Sequence, residues 1–273
     1  MTGSVPGAAP PEPAATLAAD YDQRFYAGND ARARESARAV LTQVFGYVRP
    51  ASVVDVGCGT GQWLRSAADL VGCEVLGLDS PGVPVPMLAI PADCFVPGDL
   101  GAAIEVGRRF DLAISLEVAE HLPAARAEGF VRDLTTLSSA VLFSAALPGQ
   151  GGVGHVHERW PSYWVGLFAA QGYEPWDVVR PVLWDADEVA YWYRQNTFLF
   201  VDPAVHGSFP DRRPAIVDLV HPELLRRWAT APAPTPAPAR RPASRTRAVL
   251  AKVARAAGVR RTRARSAGGD RSG

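Results

Sequence analysis

Apolar residues along the chain keep two different rhythms. Short apolar runs at Ser52–Val56, Cys73–Asp79, Phe110–Leu116, Ala140–Ala145, Tyr173–Val179 and Thr197–Val201 have the length of buried strands, and Cys94–Val96 is a weaker version. Between them, apolar positions recur every three or four residues. Val40, Leu41, Val44, Phe45 and Val48 share one face ahead of Pro50, and so do Phe130, Val131, Leu134 and Leu137. Trp63–Val71 and the stretch around Trp160, Trp164, Leu167 and Phe168, stopped by Gly172, are also helical in pattern. A helix over about Thr16–Tyr26 and a second one capped by Asp30 precede the first strand. Pro81–Pro91, with four prolines, is loop, and Trp184–Asn196 is an aromatic insert. Strands alternating with helices predict an α/β fold, a Rossmann-like doubly wound sheet with helices on both faces.

Composition divides the chain into three parts. Residues 1–15 are rich in Pro, Ala and Gly and read as disordered; residues 16–228 form one domain. Residues 229–273 begin with alternating Ala and Pro, a stiff linker, and continue as a basic tail in which 245–261 has an amphipathic helical pattern. The net charge of zero conceals an asymmetry: the tail carries +10 and the other 228 residues −10. The tail reads as a disordered, solvated extension, and any anionic partner, nucleic acid or membrane, would meet it and not the body. No apolar run has the length of a membrane span, and the N-terminus lacks a secretory pattern. Cys58, Cys73 and Cys94 have no metal spacing and read as reduced thiols in a cytoplasmic protein.

The strongest local signal is Asp55-Val56-Gly57-Cys58-Gly59-Thr60-Gly61-Gln62. An apolar strand enters it, three glycines at alternate positions turn it, and a helix leaves it. Such a turn lets a ligand lie against bare backbone, with the N–H groups of the helix start facing it. Asp79 closes the next strand, 22 residues past Gly57, as in half of an adenosine-binding βαβ unit. The dinucleotide spacing G-x-G-x-x-G is not met, because position 62 is Gln.

Asp55-x-Gly57-x-Gly59-x-Gly61 instead resembles the first motif of the class I S-adenosylmethionine (SAM)-dependent methyltransferases. The resemblance implies seven strands in the order 3-2-1-4-5-7-6, the last antiparallel, with ligands beyond the carboxyl ends of the strands. It implies a SAM pocket shaped by Asp55, Gly57, Cys58, Gly59 and Gly61. Asp79 would hold the ribose hydroxyls, Asp99 with Leu100 the adenine edge, and Leu116 would lie by the donor. The alternative for Asp99 is a helix cap ahead of Ala102–Val106.

A second constellation, Glu117-Val118-Ala119-Glu120-His121, follows the fourth strand at once. Two carboxylates and an imidazole within five residues can converge on one cation, and hard oxygens with a histidine suit Mg²⁺ or Mn²⁺. His155-Val156-His157 leaves the fifth strand, the neighbouring one in the implied sheet. The arrangement resembles ubiquinone-pathway O-methyltransferases and small-RNA 3′-terminal 2′-O-methyltransferases. On that resemblance Glu117, Glu120 and His121, with His157 or His155, would hold the metal. Without a metal, Glu117 would touch the donor and His121 or His157 would be the base. Gly149–His155 is flexible enough to fold over a substrate. Trp160, Tyr163, Trp164, Trp184, Tyr191, Trp192 and Tyr193 can form an aromatic wall. The region 21–201 looks like a bacterial methyltransferase group associated with carbohydrate or natural-product gene sets. The reading is O-methylation of a small molecule or glycan; RNA 2′-O-methylation, disfavoured by the acidic body, and a non-catalytic SAM-binding module are the alternatives.

Overall fold

The structure is a computed structural model and describes residues 23–230, with side chains from Arg32 onward. Its seven strands are β1 (Ser52–Val56), β2 (Glu74–Asp79), β3 (Phe95–Pro97), β4 (Leu112–Leu116), β5 (Ala140–Ser144), β6 (Glu174–Trp176) and β7 (Phe198–Val201). They form one sheet in the order β3-β2-β1-β4-β5-β7-β6. Only β7 runs antiparallel, against both β5 and β6. The doubly wound fold, its strand order and the reversed last strand match the expectation. The first fifteen residues, and the expected tail from residue 231 onward, lie outside the described residues.

Strand side chains alternate between two cores, as a pleated sheet covered on both faces requires. Val53, Leu112, Ile114, Leu142, Leu199 and Val201 pack into one core with Val40, Leu41 and Val44 of α1 (Gln23–Val44) and Leu64 and Ala67 of α2 (Gln62–Val71). Val54, Val56, Ala113, Val141, Phe143 and Phe200 point the other way, to Phe130, Val131 and Leu134 of α3 (Ala127–Leu137) and Trp164 and Phe168 of α4 (Pro161–Ala170). Phe168 stacks on Phe200 at 3.8 Å between ring centroids. Truncating such a buried ring costs about 3–5 kcal/mol. Between β6 and β7 lie two short helices, α5 (Arg180–Leu183), just ahead of the aromatic insert, and α6 (Tyr191–Asn196) at its end. After β7 come α7 (Pro203–His206) and α8 (Pro222–Thr230), the latter running past the expected boundary at 228.

Three local expectations are corrected. Asp30 caps no helix, because α1 is continuous from Gln23 to Val44; a lone helical glycine costs only about 1 kcal/mol relative to Ala, which the apolar face downstream outweighs. The stretch 102–106 is turn and coil, so the cap reading of Asp99 fails: its Oδ1 accepts the Gly101 N–H at 2.8 Å in a tight turn. The sixth strand keeps only three residues; Pro175 offers no N–H, which an edge strand tolerates, and the Asp177 amide leaves the sheet to donate to the Arg212 carbonyl.

Candidate active site

The glycine turn stands at the carboxyl end of β1, next to β2 and β4. Gly57, Gly59 and Gly61 all have left-handed φ values, +87°, +53° and +82°, a region that costs side-chain-bearing residues. At Gly57 there is also no room, since a Cβ would stand 2.3 Å from Val118 Cγ2. At Gly59 a Cβ would meet nothing within 4 Å, so bare backbone faces open space. The amides of Gly57 and Cys58 donate to the Leu78 carbonyl at 2.7 and 3.1 Å. Asp79 Oδ2 accepts the Gly59 N–H and Oδ1 the Ser80 N–H, both at 2.6 Å. Burial nonetheless raises the Asp79 pKa, against those two bonds. Asp55, 2% exposed, lies well above the usual carboxylate range through burial and then the neighbouring Asp79 charge. The Cys58 thiol is pushed up by burial and then Asp55, so it is an inert space-filler against Gly77. Leu100 is half-buried against the second core, and Asp99 beside it is exposed.

Beyond β4 opens a cavity of about 400 Å³. Leu116, Glu117, Glu120 and His121 line it from β4 and the turn that follows, Gln150–Val153 and His155 from the loop after β5, and Tyr191, Trp192 and Tyr193 from α6. Three of the seven aromatic residues expected in a wall are therefore there. Trp164 is core, and Tyr163 and Trp184 pack on His157 and His221 respectively.

Glu117 is the one described non-glycine residue with positive φ, +56°. The turn holds it there: its amide donates to both the carbonyl and the hydroxyl of Ser144 at 3.1 Å. Its carboxylate accepts Gln150 Nε2 at 2.6 Å and Asn196 Nδ2 at 3.1 Å. Asn196 also donates to Gln150 Oε1 and accepts from Gln195, whose own Oε1 takes the His221 amide. This side-chain amide network anchors one carboxylate from two distant segments. Burial raises the Glu117 pKa; the Asn196, Ser144 and Gln150 bonds work against it.

Glu120 is the opposite case. It is fully buried, and neither carboxylate oxygen has a hydrogen-bond partner of normal geometry. Burial and then the Glu117 charge push its pKa well up, with only partial relief from the Glu120 and Ala146 backbone. His155 Nε2 lies 3.9 Å from Glu120 Oε1, while His155 Nδ1 is 2.9 Å from Glu158 Oε1. Glu158 also accepts the Gly149 and Gly151 amides at 2.8 and 2.9 Å, so the loop expected to be flexible is wound around one carboxylate. Gly152 makes this possible, because a Cβ there would stand 2.1 Å from His155 Nε2. The His121 ring meets the His155 ring edge-on at 4.8 Å. Its pKa is lowered to about 4 by burial and then by His155, opposed by a backbone hydrogen bond to Gly154, so the imidazole is neutral at pH 7.

Among the described residues, Glu120, His121 and His155 bring metal-capable atoms within 4.8 Å of one another. Two expected members are elsewhere. Glu117 spends its oxygens on Gln150 and Asn196. His157 is 2% exposed, outside the cavity lining, against Tyr163 and Trp164 with both ring nitrogens unpartnered. Of the two histidines that the sequence left open, it is His155 that stands beside Glu120 and His121, and His157 lies outside the cavity lining. Burial and then Arg159 lower the His157 pKa. Gln150, Glu158 and Asn196 have no signal in the sequence that marks them beforehand.

Residues 29–177, more than half of the chain, match the family described as methyltransferase domain. With the sheet order and the glycine turn in place, the chain belongs to the class I SAM-dependent methyltransferases. Similar solved structures include an O-methyltransferase family protein from Burkholderia thailandensis, at 16% identity and a TM-score of 0.46, covering 66% of this chain and 60% of that one. Human N-acetylserotonin methyltransferase in complex with SAM has 17% identity and a TM-score of 0.43, covering 66% and 59%. DesVI from Streptomyces venezuelae has 17% identity and a TM-score of 0.48, covering 67% and 97%. The chain thus spans about three fifths of the length of the first two, and the likeness is one of fold. No curated protein matches the chain. No helix among the described residues is long and apolar enough to cross a membrane.

Proposed function

We propose that the protein methylates an oxygen of a small-molecule or glycan acceptor, using SAM. The observation that carries this reading is the aromatic-lined cavity at the end of β4, with a neutral imidazole, His121, beside a buried carboxyl, Glu120. SAM supplies a methyl group on a positively charged sulfur. The open backbone at Gly59 and the unused lone pairs of Asp79 fit its adenosine part; Asp79 would take the ribose hydroxyls, Asp99 and Leu100 the adenine edge, and Leu116 the side next to the methyl. Glu117, its orientation fixed by Gln150 and Asn196, faces the same cavity and would set the register between donor and acceptor. His121 would take the hydroxyl proton as the acceptor oxygen attacks.

The group Glu120, His121 and His155 also fits Mg²⁺ or Mn²⁺. Glu120 has two oxygens without partners, and the Nδ1 of His155 faces Glu158, leaving Nε2 directed to Glu120. A carboxylate behind a histidine is the usual outer support of a metal ligand. A bound cation would lower the pKa of an acceptor hydroxyl. The test is incubation with labelled SAM and a fractionated cell extract, with the product identified by mass spectrometry. A methyl ether is expected, with the rate lost after EDTA and restored by Mn²⁺ or Mg²⁺. An N-methyl product overturns the oxygen assignment, and indifference to EDTA overturns the metal.

A further inference from the structure

Resting on that reading of the cavity, we infer that the acceptor carries an oxyanion, a carboxylate or phosphate, gripped at the cavity rim by Arg32 and Arg227. Both residues line the cavity, one from α1 and one from α8, elements far apart in sequence. Each guanidinium lies over an aromatic face of α6: Arg32 over Trp192 at 5.7 Å, Arg227 over Tyr191 at 4.8 Å. Stacking fixes the plane of a guanidinium and leaves its edge N–H donors free, the fork that suits a carboxylate or phosphate.

The charge at this rim runs against the rest of the body: without these two arginines, residues 1–228 carry −12. Arg32 is exposed and makes no ion pair with another described side chain. Arg227 pairs with Glu223 at 3.2 Å, but Glu223 is shared with Arg194 at 3.3 Å, so the Arg227 charge is only partly offset. The floor of the same cavity holds buried Glu120 with His121 and His155. A ligand spanning floor and rim therefore needs a hydroxyl at one end, an apolar body that passes Trp192, and a negative charge at the other. The carboxylate of the methyl donor is a different candidate for the same forks. Against it, only Leu116 and Glu117, placed at the methyl, reach this cavity from the donor side; the glycine turn and Asp79 line no part of it.

The experiment uses the full chain saturated with S-adenosylhomocysteine and two pairs of probes, benzoate with benzamide and phenyl phosphate with phenol, titrated by calorimetry. The anions are expected to bind roughly tenfold more tightly than their neutral counterparts, the preference falling with added salt. In the Arg32→Gln/Arg227→Gln double variant the preference should shrink to about twofold or less, with SAM affinity unchanged. Should the double variant not fold, Arg32→Gln alone, exposed and without an ion pair among the described residues, should lower the preference severalfold. Equal binding within each pair, no binding of any probe, or a preference surviving the substitutions overturns the proposal. So does a large loss of SAM affinity with the probe preference intact, which would give the arginines to the donor. Displacement of benzoate by a short RNA at physiological salt overturns the small-molecule assignment. Whichever anion binds better tells carboxylate from phosphate. The methyltransferase reading fails separately, through absent SAM binding or absent labelled product in the unaltered protein.

Discussion

On the β1–β2 side of the site, Gly57 and Cys58 are tied to Leu78, and both oxygens of Asp79 accept backbone amides. On the cavity side, a carboxyl, Glu120, is buried with no partner of normal geometry, and next to the cavity loop His157 is buried with both nitrogens bare. The first region is completed by its own backbone. The second is complete only around Glu117 and leaves Glu120 under-satisfied, at a cost of about 1–3 kcal/mol for each such group. Burial without a partner is rare in folded proteins and collects where something else is to be bound. The contrast therefore separates a frame whose polar groups are satisfied within the fold from a cavity in which a buried carboxyl is not.

The largest expected effect tests the frame. Asp79→Ala removes the carboxylate proposed for the ribose and frees the Gly59 amide; SAM affinity by calorimetry should fall at least about 100-fold, the equivalent of one to two charge-assisted hydrogen bonds. Retained affinity breaks the donor side of the contrast. Next, Asn196→Ala strips a donor from Glu117 and should cost about 2 kcal/mol in urea unfolding, because the network that satisfies this carboxylate is lost. Third, Gly152→Ala must turn His155 away from Glu120, so Mn²⁺ affinity should fall about tenfold while SAM affinity holds. A drop in both would show that the two sides are not independent.

The smallest effect is a pH slope. Asp55 has its folded pKa raised, so its contribution to stability is full below the unfolded value of about 4 and is lost as pH rises through the folded value. The melting temperature of the ligand-free protein, relative to Asp55→Asn, should therefore decline as pH rises from about 4 through that titration. A difference independent of pH would show that the Asp55 carboxyl is no better accommodated protonated than charged.

The frame was legible because its chemistry is local. The motif Asp55-x-Gly57-x-Gly59-x-Gly61 is a single turn, and Asp79 follows at the end of the next apolar run. The sheet order was legible only through the family resemblance to which those residues led. The cavity was half legible: Glu117, Glu120 and His121 are contiguous, but what each does depends on residues from elsewhere. Gln150 and Asn196 decide that Glu117 is a fixed carboxylate, and they come from the loop after β5 and the end of α6. Glu158 decides the orientation of His155. His155 and His157 are two residues apart in a glycine-rich loop with no regular repeat, so no periodicity tells which one faces Glu120. Arg32 and Arg227 are ordinary surface arginines until the fold brings α1 and α8 to the same rim.

The reversed β7 has a consequence for the order in which the protein is made. The strands β1, β2 and β4 and the glycine turn leave the ribosome as one early block, able to pair as soon as they emerge. Glu117 emerges with them, yet the Asn196 that clasps it arrives about eighty residues later, just ahead of the strand that closes the sheet against β5. Until that segment is in place, Glu117 has Gln150 but lacks the Asn196 half of its clasp. The nascent chain thus carries the glycine-turn half of the pocket well before the segment that completes the clasp on Glu117.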